Sequence, residues 1–378
     1  MDGEELTRVE DSVKTGEPPR FDLLGGTPEE VTHALTTHFR ERGEPGYRVG
    51  QVREWIYRTG VRAPSEMTNL PAREREALTA HFQLEEIEEE RCSQSADGTV
   101  KHLWRMPDGE LVESVLIPTE DRLTLCISSQ AGCAMGCTFC ATGWGGFSRQ
   151  LTAGEIVAQF RASRRWAEEA GLGPITNIVY MGMGEPLANR RALHPSLTTL
   201  NQGFGLAARR ITVSTVGVVP GIRELAARPE QFGLAISLHA PVSALRETLI
   251  PLEKRHPLPE LMAALHDFRR DKGRRVTFEY TMIGGVNDGE ELAPLLASLA
   301  REVQAFVNLI PFNPIAEQLW SPSSPDRIEF FRRTLEGGGI SVAVRAPRGR
   351  DIDAACGQLR ARARHDLTVI STVQPTEG

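Results

Sequence analysis

From residue 122 to residue 345 the chain alternates between short strand-like runs and longer amphipathic ones, and that alternation leaves few folds open. Strands are expected at Leu123–Ser129, Asn177–Met181, Ile211–Ser214, Gly233–Leu238, Val276–Met282, Phe306–Pro311 and Ile340–Arg345. Helices are expected between them at Ala153–Ala170, Gly221–Ala227, Leu258–Asp271, Glu290–Val303 and Pro325–Leu335. Thr152-Ala-Gly-Glu155 has the spacing of a capping box, in which hydroxyl and carboxylate each satisfy a backbone N–H at a helix start. Neighbouring parallel strands need a long crossover, and a helix supplies it, so repeated βα units imply an α/β fold with a parallel sheet. Functional groups in such sheets gather at the carboxyl ends of the strands.

One cysteine-rich loop sits at such an end. Cys133, Cys137 and Cys140 make a C-x3-C-x2-C run directly after the first strand. A structural zinc site usually brings four ligands, and this trio is asymmetric with no histidine nearby. A disulfide framework does not suit a chain that reads as cytoplasmic. Three soft thiolates suit three irons of a four-iron cluster, which leaves the fourth iron open to a small ligand. An open iron suits catalysis better than electron relay.

The 378 residues suit one large domain plus a small one, and 40% hydrophobic content is enough for a sizeable core. No apolar run approaches the ~20 residues of a membrane span. The first residues, MDGEELTRVEDSVKTGEPPR, are acidic and lack an apolar stretch, so they read as a disordered leader rather than a secretory or transit signal. The net charge of −7 argues mildly against a nucleic-acid partner. It is unevenly spread, with acid in the leader and in Glu85–Glu90. Arg345, Arg348, Arg350, Arg360, Arg362 and Arg364 gather near the other end, as a solvated helix face or as RNA contacts. The tail after Asp366 looks dispensable.

Residues 27–83 read as helical and polar, opening at Thr27-Pro-Glu-Glu30. In the second helix Val49, Val52, Ile56 and Tyr57 form an apolar stripe beside Arg48, Gln51, Arg53 and Arg58, which fits an RNA-docking arm or an ordinary amphipathic helix. Asp97-Gly98 and Asp108-Gly109 are turn signals around strands Val100–Met106 and Leu111–Ile117. Glu113 shares a face with Leu111, Val115 and Ile117. It is a buried general base, or a glutamate at the sheet edge, or part of a strand whose apolar face is the other one. At the strand ends lie Gly182, Gly184, Glu185, Ser214, Ser237, Leu238, His239 and Asn313. Each has an ordinary explanation as turn, cap or core residue, but all fall on the same expected rim. Cys356 has only small neighbours, as either a buried small hydrophobe or an accessible thiol.

The C-x3-C-x2-C run resembles the signature of radical S-adenosylmethionine (SAM) enzymes. In order along about residues 25–366, the segments CISSQAGCAMGCTFCATG, MGMGEPLAN, ITVSTVGVVP, AISLHAP, GGVNDGEE, NLIPFNP and RGRDIDAACGQL resemble the RlmN/Cfr family of radical SAM RNA methyltransferases, specifically the RlmN type. The resemblance implies a partial (β/α)6 TIM-like radical SAM barrel with a small N-terminal helical domain and a β-hairpin extension. The corresponding divisions are a leader over 1–24, an RNA-docking helical domain over 25–91, a hairpin extension over 92–120, the barrel with its cysteine loop over 121–366, and a tail over 367–378. It implies methylation of adenine C2 in 23S rRNA, in some tRNAs, or in both, with two SAM consumed per turnover.

By position, Cys133, Cys137 and Cys140 would hold a 4Fe-4S cluster. Cys356 would carry the methyl group, Glu113 would accept the C2 proton, and Cys126 would resolve the RNA adduct by forming a disulfide. Gly184, Glu185, Ser214, Ser237, Leu238, His239 and Asn313 match SAM-contacting positions. A reductant such as flavodoxin or ferredoxin, a cytoplasmic location, a monomer and no membrane partner go with this expectation. Pro64, Trp144 and Gln150 depart from the family pattern, as does the acidic leader, which leaves RNA choice open to a diverged paralogue. Methylation at adenine C8 is the alternative within the family, and an iron–sulfur relay or structural RNA-binding protein the alternative outside it. Cys92 has no assigned role.

Overall fold

The computed structural model describes residues 20–84 and 86–359. Most of the acidic leader, Glu85, Arg360, Arg362, Arg364 and the tail lie outside the described residues.

A ten-stranded sheet organises the molecule. In chain order its strands are β1 (Glu88–Gln94), β2 (Val100–Arg105), β3 (Leu111–Pro118), β4 (Leu123–Cys126), β5 (Asn177–Tyr180), β6 (Ile211–Thr215), β7 (Gly233–Ser237), β8 (Thr277–Met282), β9 (Phe306–Pro311) and β10 (Val342–Val344). Their spatial order follows the sequence from β1 at one edge to β10 at the other. β4 through β10 pair in parallel, each joined by a helical crossover, as the βα alternation requires. β1, β2 and β3 run antiparallel and join the same sheet through the β3–β4 pair, where Val115 faces Cys126. Among the described residues the sheet keeps two open edges, so the barrel is partial. The expected hairpin is a three-stranded extension, and its first strand straddles the boundary expected at residues 91 and 92.

The helices are α1 (Pro28–Glu41), α2 (Tyr47–Glu54), α3 (Ala72–His81), α4 (Ala141–Trp144), α5 (Ala153–Glu169), α6 (Arg190–Thr198), α7 (Val219–Ala227), α8 (Ser243–Leu249), α9 (Leu258–Lys272), α10 (Leu292–Glu302) and α11 (Pro325–Gly337). Both expected helix starts form complete capping boxes, Thr27 with Glu30 and Thr152 with Glu155. Three of these helices escape the sequence pattern, α4 being a single four-residue turn. α6 contains Pro195, which removes an N–H and normally marks a break, and α8 has only seven residues.

β4 is shorter than expected because its ladder is taken over by a side chain. The Ser128 N–H donates to Gln159 Oε1 at 2.9 Å, and Gln159 Nε2 returns a bond to the Ser128 carbonyl at 3.0 Å. Gln159 is fully buried on α5, so both backbone groups are satisfied without a neighbouring strand.

The N-terminal helices share one continuous apolar core with the barrel. Val49, Val52, Ile56 and Tyr57 are all buried, so packing accounts for the stripe. The Tyr57 ring meets the Phe204 edge at 5.3 Å, and Arg164 Nη1 donates to the Tyr57 carbonyl at 3.2 Å. No helix among the described residues is long and apolar enough to cross a membrane.

Candidate active site

At the carboxyl ends of the parallel strands lies a cavity lined by Cys133, Cys137, Cys140, Gly182, Gly184, Glu185, Ser214, Ser237, His239, Glu279, Arg345 and Cys356, among others. The cysteine loop enters it from a two-stranded antiparallel pair, Gln130–Gly132 with Phe147–Gln150, which closes the loop at its base. The Cys133 N–H bonds to the Gly146 carbonyl at 2.8 Å. The loop is also tied to the far end of the chain. The Ala141 N–H donates to the Gly357 carbonyl at 2.7 Å, and Thr142 Oγ1 donates to the Leu359 carbonyl at 2.6 Å. These bonds bring Cys356 to the cavity wall.

The glycines are required by close approach. A Cβ on Gly182 would sit 2.6 Å from the Ile127 carbonyl oxygen, and one on Gly184 would sit 2.5 Å from Gln130 Cβ. Gly184 also has φ +97°, where a side chain adds strain. Glu185 is fixed by its surroundings. Its carboxylate accepts the Leu187 and Val216 N–H groups at 2.9 Å each, and its own N–H donates to Gln130 Oε1 at 2.8 Å. Burial pushes its carboxyl up to about 7, against the pull of those amides. A cation placed beside it would favour its charged form. His239 has φ +56°, and its Nδ1 accepts the Thr281 N–H at 2.9 Å. Burial, then the charge of Arg246, takes its pKa down to about 3, so the ring is neutral and carries its proton on Nε2.

The thiol trio fits a metal cluster. Burial pushes the Cys133 thiol up to about 12 and Cys137 well above its ordinary value, with the neighbouring thiolates adding to both. The Cys133 and Cys137 sulfurs are costly as anions in this burial without a cation beside them. Soft thiolates are the donor set of iron–sulfur clusters, so the residues present fit the group.

Cys126 lies behind this cavity, and Cys356 stands between the two spaces. They line a small apolar space with Val115, Val179, Met181 and Arg345. Burial, then the nearby Cys356 charge, pushes Cys126 up to about 12. Arg345 belongs to both cavities. The Cys356 charge first, with Glu279 and Cys126 adding, holds its guanidinium above the usual value despite burial. This corrects the reading of Arg345 as a solvated or RNA-facing arginine: it turns inward. Arg350 stays exposed while its Nε donates to Asn313 Oδ1 at 3.0 Å.

Three expected residues take other places. Leu238 is fully buried and meets its neighbours through its backbone, the N–H donating to the Glu279 carbonyl at 3.0 Å. Asn313 Nδ2 holds the Cys356 carbonyl at 3.1 Å, outside the cavity lining. Glu113 is buried, lines a separate polar cavity and pairs with Lys101 Nζ at 3.1 Å. Ala141 and Gln358, chain neighbours of the first cavity's Cys140 and Gly357, share that second wall. Glu279 was not anticipated. Its signal is a lone carboxylate in the strand TFEYTM, and Oε1 accepts from Asn308 Nδ2 at 2.9 Å while burial raises its pKa.

Residues 127–296 match the radical SAM superfamily, and residues 23–84 match the ribosomal RNA large subunit methyltransferase N-terminal domain. A probable dual-specificity RNA methyltransferase RlmN from Gemmatimonas aurantiaca is 51% identical over 341 residues, covering 90% of this chain and 93% of its own. The dual-specificity RNA methyltransferase RlmN from Anaeromyxobacter dehalogenans is 46% identical over 325 residues, covering 84% and 87%. The crystal structure of a radical SAM methyltransferase from Sphaerobacter thermophilus superposes with a TM-score of 0.86 at 46% identity, covering 91% of this chain and all of that one. With both regions matched and the thiol trio at the strand ends, this chain belongs to the RlmN family of radical SAM RNA methyltransferases.

Proposed function

We propose that the protein methylates C2 of an adenine in RNA, in 23S rRNA, tRNA or both, by way of a methyl group carried on Cys356. The observation that carries this reading is that Cys356 lines both the cavity that holds the thiol trio and the small adjoining space lined by Cys126. A 4Fe-4S cluster on Cys133, Cys137 and Cys140, with SAM beside it, would supply an electrophilic methyl group and a deoxyadenosyl radical.

Gly184 lets the backbone approach the amino-acid end of SAM, and Glu185 accepts from its amino group. His239 offers an Nε2–H donor, and Ser214 and Ser237 offer hydroxyls. Leu238 contributes through its backbone, and Asn313 positions the Cys356 carbonyl. Adenine C2 lies between two ring nitrogens and is electron-poor, so it is no nucleophile for direct methyl transfer. Covalent catalysis divides the task. The Cys356 thiolate takes a methyl group from one SAM. Loss of a hydrogen atom from that methyl group leaves a carbon radical, which bonds to C2. Glu113 accepts the C2 proton. The Cys126 thiolate then bonds to Cys356 Sγ as the carbon–sulfur bond breaks. One electron passes from the adduct to a one-electron acceptor of the iron–sulfur class, and the released carbon takes a proton to become the new methyl group. The disulfide is reset by two electrons from an external reductant of the flavodoxin or ferredoxin class.

Residues 25–91 serve as the RNA-docking domain, using the outward basic face left after the apolar stripe is packed. The target base leaves its stack to reach the cavity. The protein works as a cytoplasmic monomer. Mass spectrometry of digested RNA tests the reading. The wild type yields 2-methyladenine, Cys356→Ala cleaves SAM without methylating RNA, and Cys126→Ala accumulates a protein–RNA crosslink. An 8-methyladenine product, or methylated RNA from Cys356→Ala, overturns it.

A further inference from the structure

A second set of metal-ligating side chains lies on the β1–β2 hairpin, away from the catalytic cavity. Cys92 on β1 stands directly opposite His102 on β2, and Glu89 stands opposite Trp104. Glu89 and Cys92 are three residues apart, an odd spacing that places side chains on opposite faces of a regular strand. Here the register jumps between Glu89 and Arg91, so Glu90 is an extra residue. The bulge returns Glu89 to the face of Cys92 and His102. One donor atom from each of the three lies within 4.8 Å of the others, and His102 Nδ1 is 2.9 Å from Glu89 Oε2.

The imidazole is held in place by packing. His102 is fully buried, stacked on Trp104 with ring centroids 4.7 Å apart and edge-on to Trp166 at 4.9 Å. Its Nε2 is buried with no hydrogen-bond partner, so packing, not a hydrogen bond, fixes that side of the ring and aims Nδ1 at Glu89. Burial keeps the ring neutral, the form that ligates metals.

We infer that Glu89, Cys92 and His102 form a binding site for a divalent cation of the zinc class, with solvent water as the fourth ligand. Sulfur, nitrogen and carboxylate oxygen are zinc's donor set, and bonds of ~2.0–2.3 Å in a tetrahedron put donor atoms roughly 3.3–3.8 Å apart. Small side-chain adjustments reach that from the observed spread. Glu89 and Cys92 reach the solvent-exposed side, which leaves the fourth position to water. The site clamps an edge strand. Among the described residues β1 has no strand on its outer side, and it buries none of its side chains, so it rests chiefly on its ladder to β2. The turn that follows β1 anchors the Cys356 loop, through Asp97 to the Gly349 N–H at 3.0 Å and Asp351 to the Ala96 N–H at 3.1 Å.

The test uses the full chain, purified anaerobically with its catalytic cluster loaded, and Zn2+ as the probe. After equilibration with Zn2+, elemental analysis should find one more zinc per chain in the wild type than in Cys92→Ser. Affinity should fall by more than the ~10–100-fold that loss of an outer hydrogen-bond partner costs. Glu89→Gln, at an exposed position, should weaken binding as well. Hydrogen exchange of the residue 88–94 amides should slow on adding Zn2+ to the wild type and stay unchanged in Cys92→Ser. Equal zinc content in wild type and Cys92→Ser overturns the inference, as does exchange in β1 that Zn2+ leaves unaltered in the wild type.

Discussion

Replacing Arg246 with methionine should destabilise the protein and loosen the SAM cavity together. Arg246 is fully buried on α8 and pairs with Glu253, itself only 3% exposed. Its Nε donates to the Leu238 carbonyl at 3.2 Å, and its Nη2 donates to the Val216 carbonyl. One guanidinium therefore ties together the loops that follow β6 and β7, which carry Val216 and His239 into the cavity. Val216 in turn donates its N–H to Glu185. Removing one member of a buried ion pair strands the other and costs ~3–5 kcal/mol. For 378 residues, at about 2.1 cal/mol/K per residue, the unfolding entropy is roughly 0.8 kcal/mol/K, so the loss appears as a fall of about 5 °C in melting temperature. Calorimetry on the cluster-loaded protein reads the stability, and SAM titration reads the cavity. Arg246→Met with Glu253→Gln leaves no stranded charge and should regain most of the melting temperature. It should not regain SAM affinity, because the two carbonyls remain unanchored. A double variant that melts no higher than Arg246→Met refutes the stranded-charge argument. Unchanged SAM affinity in both variants refutes the anchoring argument.

Other consequences are smaller in scope. Burial, with the Cys356 charge adding, holds Cys126 near 12, so its thiolate fraction grows tenfold per pH unit through the neutral range. Release of RNA from the covalent adduct should therefore quicken about tenfold per unit between about pH 7 and 9. Arg345→Met, which removes the facing positive charge, should slow release at every pH, and a flat single-turnover profile would count against Cys126 as the attacking thiolate. Burial acts to raise the Asp97 carboxyl, but bonds from Thr99, Gly349 and Ser95 outweigh it and bring it down to about 2. A depressed carboxyl stabilises the fold above its ordinary value of 3.8 and loses that contribution as pH falls toward about 2. Asp97→Ala should speed amide exchange at Gly349, and unchanged exchange there would show that the tether carries no strain-free anchoring. Gly184→Ala meets Gln130 at 2.5 Å and adds left-handed strain of ~1–3 kcal/mol, so it should cut SAM affinity at least about tenfold. Gly205→Ala, at φ +76° in open space, should carry the strain without the loss of affinity, and equal losses at both sites would refute the contact argument.

Much of this arrangement is legible in local pattern. Alternating strand and helix runs imply the parallel sheet, and Thr27 and Thr152 with their glutamates mark two helix starts in full. The cysteine trio and the glycines of MGMGEP point to the strand-end rim. These signals are short-range: a capping box spans four residues, a strand's face follows a period of two, and neither depends on what packs against it. The misses share a cause of the opposite kind. Pro195 argues against a helix that tertiary packing nonetheless holds, and Ser128 leaves the sheet because Gln159, far along the chain, takes its hydrogen bonds.

The chain alone determined the order of its elements, the loop that gathers three thiols, and the glycines that let backbones meet. Only tertiary structure decided that Cys126 and Cys356 line one small space, that Arg345 turns inward, that Glu113 and Lys101 share a neighbouring cavity, and that a bulge sets Glu89 beside Cys92. Those outcomes depend on strand register and on which distant surfaces bury one another, and a local period carries no record of either.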